Sequence, residues 1–197
     1  MIGIIDHGAG NLHSVQKALN HLGLITAIVR DPDDAARCEK LLLPGVGHFG
    51  SAMQRLRATA LLPALADWLT NDRPFLGICL GMQMLFSSSE EAPGVAGLDF
   101  CKGHVRPYRC CPRLQIGWNT VRTLKASAIW PSPTQAYYYY VNGYAVVPVD
   151  REIVIGVSDY GGEFVAAVQC GRIWGVQFHP EKSAAKGLEL LRRWGTS

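Results

Sequence analysis

Short β-rich runs alternate with helical periodicity through the first half of the chain, and no other feature restricts the fold as strongly. Ile2 to Ile5 is followed by a helical pattern over Leu12 to Leu22, Ile25 to Val29 by Pro32 to Arg37, and Leu41 to Leu43 by Ser51 to Leu56. Such alternation predicts a parallel sheet covered by helices. A longer helical stretch, Ala60 to Asn71, leads through Asp72-Arg73-Pro74 into the apolar strand Phe75-Leu76-Gly77-Ile78, and Pro74 marks the boundary. After Ser87 short strands follow at Gly103 to Tyr108, Trp118 to Val121, Tyr137 to Val141, Val154 to Val157, Val165 to Gln169 and Ile173 to Gln177. This half is expected to be antiparallel or mixed and to extend the same sheet. An amphipathic helix, Ala184 to Trp194, closes the chain. With no repeat, linker or low-complexity tract, residues 1–197 read as one domain, and a 48% hydrophobic composition is enough to fill its core.

Charge and composition remove several function classes. A net charge of +3 with no block of Lys and Arg does not suit a nucleic-acid partner. The apolar run Met1 to Ile5 stops at Asp6, short of a signal-peptide core, and no run reaches the ~20 residues of a membrane span. The expectation is a soluble cytoplasmic protein with no membrane association. Six cysteines, Cys38, Cys79, Cys101, Cys110, Cys111 and Cys170, lack the spacing of a disulfide scaffold or a zinc site. Cys110-Cys111 with His104 nearby is not followed by a second ligand pair, so no metal and no cofactor is called for.

Chemistry concentrates at Gly77-Ile78-Cys79-Leu80-Gly81, where a strand ends and the helical run Met82 to Phe86 is expected to begin. This is the cysteine counterpart of the Gly-x-Ser-x-Gly nucleophile elbow. Glycines on both sides permit a sharp strand-to-helix turn with backbones in close approach. Cys79 is then expected to stand exposed at a helix N-terminus, where the dipole favours a thiolate and the Leu80 N–H can face an oxyanion. A thiolate that attacks an amide needs a proton donor for the departing nitrogen, and Phe178-His179-Pro180-Glu181 supplies one downstream. Pro180 keeps His179 extended, and Glu181 can orient it, completing a Cys-His-Glu triad. Leu43-Pro44-Gly45-Val46-Gly47 follows another strand, and its backbone could add a second oxyanion donor. The turn Gly8-Ala9-Gly10-Asn11, with Asp31 about twenty residues on, invites a dinucleotide reading, but His13 occupies the third glycine position and obstructs it.

With the elbow, His-Pro-Glu and Pro-Gly-Val-Gly in this order, the chain resembles the class I (triad) glutamine amidotransferases. Asp6-His7-Gly8-Ala9-Gly10-Asn11, Gly117-Trp118-Asn119, Asp159-Tyr160-Gly161-Gly162 and His179-Pro180-Glu181-Lys182-Ser183 look, more specifically, like the family of imidazole glycerol phosphate synthase glutaminase subunits. The resemblance implies a flavodoxin-like α/β fold, a mixed and mostly parallel sheet with helices on both faces. It implies a Cys79 that is acylated by L-glutamine, a His179 that moves protons, a Glu181 that orients it, and an oxyanion hole from Gly47 and Leu80. Gln83 and Glu91 would hold the amino-acid end of the substrate, Asn142-Gly143-Tyr144 would help seat it, and Lys182 and Tyr139 would lie at the ammonia exit. The implied partner is a (β/α)8-barrel cyclase subunit in a heterodimer that serves histidine synthesis. The family usually has His-Ser where Asn142-Gly143 stands, His in place of Gln115 and Tyr in place of His7, so weaker glutamine binding or a paralogous synthase partner is the implied difference. A general cysteine hydrolase would share the elbow, and a regulatory subunit without turnover would share the fold.

Overall fold

The computed structural model describes residues 1–8 and 11–197; Ala9 and Gly10 of the N-terminal glycine turn lie outside the described residues. The first half follows the expected alternation: β1 (Ile2–Ile5), α1 (Leu12–His21), β2 (Thr26–Val29), α2 (Pro32–Ala36), β3 (Lys40–Gly45), α3 (Phe49–Arg57), α4 (Leu61–Thr70) and β4 (Phe75–Cys79). Alternation along a strand sends successive side chains to opposite faces. Leu41 and Leu43 accordingly join a core with α3 and α4 residues such as Met53 and Leu65, whereas Leu42 joins another with Val15 and Leu19 of α1. Asp31, which a dinucleotide reading would set against a ribose, instead caps α2, its Oδ1 accepting from the Asp34 N–H at 2.8 Å.

The second half contains α5 (Leu80–Gln83), β5 (Phe86–Ser89), β6 (Cys101–Pro107), β7 (Gln115–Thr123), β8 (Gln135–Asn142), β9 (Tyr144–Pro148), β10 (Val154–Asp159), β11 (Glu163–Cys170), β12 (Ile173–Val176) and α6 (Ala184–Thr196). A nine-stranded sheet runs β2-β1-β3-β4-β12-β11-β10-β7-β8. Its β2-β1-β3-β4-β12 half is parallel and the remainder antiparallel. Leu190, Leu191 and Trp194 of α6 bury against the α1 side, so helices cover both faces.

Two expectations are corrected. The helical run expected over Met82 to Phe86 is one turn, Leu80–Gln83, and Phe86 opens β5. The carbonyls of Met84 and Leu85, which a longer helix would use, accept instead from Leu98 N–H at 2.8 Å and Cys101 N–H at 2.9 Å. Nor does every later strand extend the main sheet: β5, β6 and β9 form a separate three-stranded sheet. The chain changes sheets at Gly143, since Asn142 still pairs with Gln115 in β7 while Tyr144 already pairs with Pro107 in β6. No helix among the described residues is long and apolar enough to cross a membrane.

Candidate active site

The parallel strands β3 and β4 bring the two glycine motifs side by side, with Pro44 opposite Ile78 and Gly45 opposite Cys79. Pro44 and Gly45 therefore belong to the strand, and the loop proper begins at Val46. A Cβ on Gly81 would sit 1.9 Å from the Leu43 carbonyl oxygen, one on Gly77 would sit 2.7 Å from the Gly81 carbonyl, and one on Gly45 would sit 2.7 Å from the Gly81 nitrogen. Three backbone segments thus touch where side chains would separate them. The turn they make holds Cys79 at φ +53°, ψ −110°, a conformation costly for any L-residue and typical of strained functional positions.

Cys79 is not exposed as expected: it is 5% accessible and looks into a cavity instead of bulk solvent. Because α5 is a single turn, little macrodipole stands behind the sulfur, so its electrostatic partner has to come from another element. That element is the segment after β12. His179 is extended at φ −101°, ψ 95°, and Pro180 starts a 3₁₀ turn, Pro180–Lys182, that carries Glu181 back under the ring. His179 Nδ1 lies 2.9 Å from Glu181 Oε1, with both side chains at most 2% exposed. Nε2 is buried with no hydrogen-bond partner. Burial works to lower the imidazole pKa, but the neighbouring Cys79 sulfur and then Glu181 outweigh it, and the ring is pushed up to about 10.

The main chain of the same segment is clamped to β8. His179 N–H donates to the Tyr139 carbonyl at 2.8 Å, Tyr139 N–H donates to Ser183 Oγ at 2.9 Å, and the Ser183 hydroxyl donates to the His179 carbonyl at 2.6 Å.

The cavity before Cys79 measures about 550 Å³, within the range of small-molecule sites. Gly47, Leu80, Gln83, Glu91, Asn142, Gly143 and Tyr144 all line it, so eight of the twelve residues singled out in the sequence meet at one place, Cys79 included. Gly47 adopts φ +99°, a conformation that favours glycine. Glu91 accepts from the Phe49 N–H at 2.7 Å at the start of α3, and Gln83 Nε2 donates to Gln177 Oε1 at 3.0 Å and to the Tyr144 carbonyl at 3.3 Å. His179 and Glu181 are not among the lining residues, nor are Tyr139 and Lys182. Tyr139 is half-buried and edge-on to Trp118 at 6.0 Å, and Lys182 is exposed.

Sequence reasoning missed two contributors. Gln177 is fully buried and directs Nε2 at Cys79 Sγ, 3.5 Å away; a polar residue ending an apolar strand was the available signal. Pro112, Arg113 and Leu114 form a wall of the cavity, and nothing in their local pattern marks them.

The Asn142-Gly143 departure is built into this wall. Asn142 Nδ2 donates to the Tyr108 hydroxyl at 2.7 Å and to the Tyr144 carbonyl at 3.0 Å. A Cβ at Gly143 would stand 3.0 Å from the Arg113 carbonyl, so the serine usual in the resembling family would press on the loop. Asn142→Ala is expected to raise the KM for glutamine several-fold with kcat little changed, because each lost neutral hydrogen bond is worth about 0.5–1.5 kcal/mol. Steady-state kinetics check this; an unchanged KM would remove Asn142 from the pocket's support.

The profile of the family described as glutamine amidotransferase class-I matches residues 3–194, and the chain belongs to that family. Imidazole glycerol phosphate synthase subunit HisH of Moorella thermoacetica is 43% identical over 98% of this chain and 93% of its own length, and this chain lies in the HisH branch. Imidazole glycerol phosphate synthase hisHF of Arabidopsis thaliana, a chloroplastic protein, is 39% identical over 98% of this chain, which covers 34% of that longer relative. The solved structure of PurLQS from Thermotoga maritima superposes with a TM-score of 0.79 at 16% identity, covering 98% of this chain and 95% of that one, a likeness of fold. The expected α/β architecture, a mixed sheet with helices on both faces, is borne out.

Proposed function

We propose that residues 1–197 act as one glutaminase unit in which Cys79, His179 and Glu181 hydrolyse L-glutamine to L-glutamate and ammonia. The observation that carries this reading is the buried His179–Glu181 pair set beside a strained cysteine at the floor of a cavity of about 550 Å³. The sulfur attacks the side-chain amide carbonyl, and backbone N–H groups of Leu80 and Gly47 face the developing oxyanion. His179 Nε2 gives its proton to the departing nitrogen, releasing ammonia and leaving a thioester. Water, deprotonated by the same nitrogen, then cleaves the thioester. Gln83, Glu91, Asn142, Gly143 and Tyr144 hold the substrate, and Glu181 keeps the ring in the tautomer that presents Nε2.

Ammonia passes to a cyclase subunit, a (β/α)8 barrel, that makes imidazole glycerol phosphate for histidine synthesis in the cytoplasm. Two observations support a partner, the first of them a partner on the β7–β8 side. Ile116, Trp118 and Tyr137 are 62%, 53% and 62% exposed, on the same face as Tyr139 and Val141, which makes an apolar patch across β7 and the edge strand β8. The longer Arabidopsis thaliana relative carries a HisH-like region as about one third of its chain.

The test compares glutamine hydrolysis by the lone chain with that of the complex whose cyclase holds its own ligand. A rise of about tenfold or more is expected, equivalent to ~1.4 kcal/mol in the barrier, as the segment after β3 shifts toward oxyanion-binding geometry. Full turnover in the lone chain would contradict partner control.

A further inference from the structure

A second cleft, of about 170 Å³, opens between the small sheet and the β10–β11 turn, and Pro107 is the wall it shares with the glutamine cavity. Three elements deliver an arginine to it: Arg106 from β6, Arg109 from the segment that follows, and Arg151 from a 3₁₀ turn, Arg151–Ile153. None of the three guanidinium groups forms an ion pair or hydrogen bond among the described residues, whereas Arg30, Arg37, Arg122 and Arg193 all have carboxylate partners. The acid at the rim, Glu163, is held by Arg122 at 3.0 Å. The cleft is therefore cationic and uncompensated.

Its floor is built around the Asp159-Tyr160-Gly161-Gly162 motif, which the glutaminase reading leaves without a role. Gly161 and Gly162 take φ of +63° and +137° in the turn between β10 and β11, and their N–H groups have no protein acceptor among the described residues. A Cβ on Gly161 would lie 2.4 Å from the Cys110 Cβ, so glycine there lets the turn close onto the segment that carries Arg109. Tyr108 packs at 5.3 Å from Tyr160 and 5.1 Å from Phe164, giving the site a rigid aromatic base.

We propose that this cleft binds a phosphoryl dianion, either free phosphate or the head of a small phosphate monoester. Planar guanidinium forks and free backbone N–H groups match tetrahedral oxyanions in geometry and charge. A cleft of about 170 Å³ has room for a phosphoryl group with a short stub.

The experiment titrates the full chain with inorganic phosphate and, separately, with glycerol 3-phosphate, following the thermal midpoint and the 31P line width against sodium chloride at matched ionic strength. Saturable stabilisation beyond the chloride control is expected from at least one ligand, and the tighter of the two identifies free phosphate or monoester as the preferred form. In the Arg106→Gln/Arg151→Gln double variant the concentration needed should rise at least ~10-fold, while Arg30→Gln behaves as the natural chain. Unchanged basal glutaminase turnover in the double variant shows that it remains folded. Equal responses to chloride and phosphate, or the same titration in the double variant, would overturn the proposal.

Discussion

Cys79→Ser is expected to lower glutamine hydrolysis by at least ~100-fold while leaving the chain folded. Serine preserves the size of the side chain, and the neighbours of Sγ, Gln177 Nε2 at 3.5 Å and the Val141 carbonyl at 3.9 Å, accommodate a hydroxyl. The glycine contacts that force φ +53° are backbone contacts and survive the exchange. What is lost is the sulfur nucleophile, which attacks an amide carbonyl far more readily than a hydroxyl in the same place. Glutamate release measures the effect, and the circular dichroism spectrum with the thermal midpoint shows that the fold persists. Near-normal turnover would remove Cys79 as the nucleophile.

His179→Ala should be as severe as the cysteine change, and Glu181→Gln milder, because groups that act as one unit lose most when the proton carrier itself goes. Glu181→Gln carries a second, independent signature. The carboxylate is one of the influences that hold the His179 pKa at about 10, so the alkaline limb of the rate profile in the natural chain should fall near that pH as the imidazolium loses its proton. A neutral amide removes the charge that raises the ring, which moves the limb to lower pH. A pH–rate series on both proteins decides the matter; coincident limbs would mean that Glu181 does not act on His179.

The parts of this molecule that a linear reading captures are those whose cause is local. Gly77 and Gly81 announce a turn because only a missing Cβ allows a carbonyl oxygen 2.7 Å and 1.9 Å, respectively, from where that atom would sit. Pro180 announces an extended His179 because its ring excludes the helical region for the residue before it. The β1 to β4 alternation announces a parallel sheet for the same kind of reason. What escaped the reading has non-local causes. Phe86 leaves the helix because Leu98 and Cys101, more than ten residues on, claim the carbonyls of Met84 and Leu85. The short strands β5 and β9 exist because β6 lies between them, and the Arg113 segment closes on the cavity where the missing Cβ of Gly143 leaves room for its carbonyl. Cys79 looked exposed in the sequence because an elbow is normally read from the strand and helix it joins; the small sheet and the Pro112 to Leu114 segment roof it over.

The three hydrogen bonds that tie Tyr139 and Ser183 to the main chain of His179 make the surface strand and the proton carrier a single mechanical body. Tyr139 belongs to β8, one of the two edge strands of the nine-stranded sheet, so this body ends at the rim of the molecule. A subunit that grips β8 therefore holds the imidazole by its own backbone and needs no contact with the cavity to steady it. Loosening the strand from outside should register as noise in ring position, felt in the frequency of productive proton transfers and hardly at all in how tightly glutamine is held. The Tyr139 and His179 amide protons should accordingly exchange with solvent in step, and slow together when the rim is gripped.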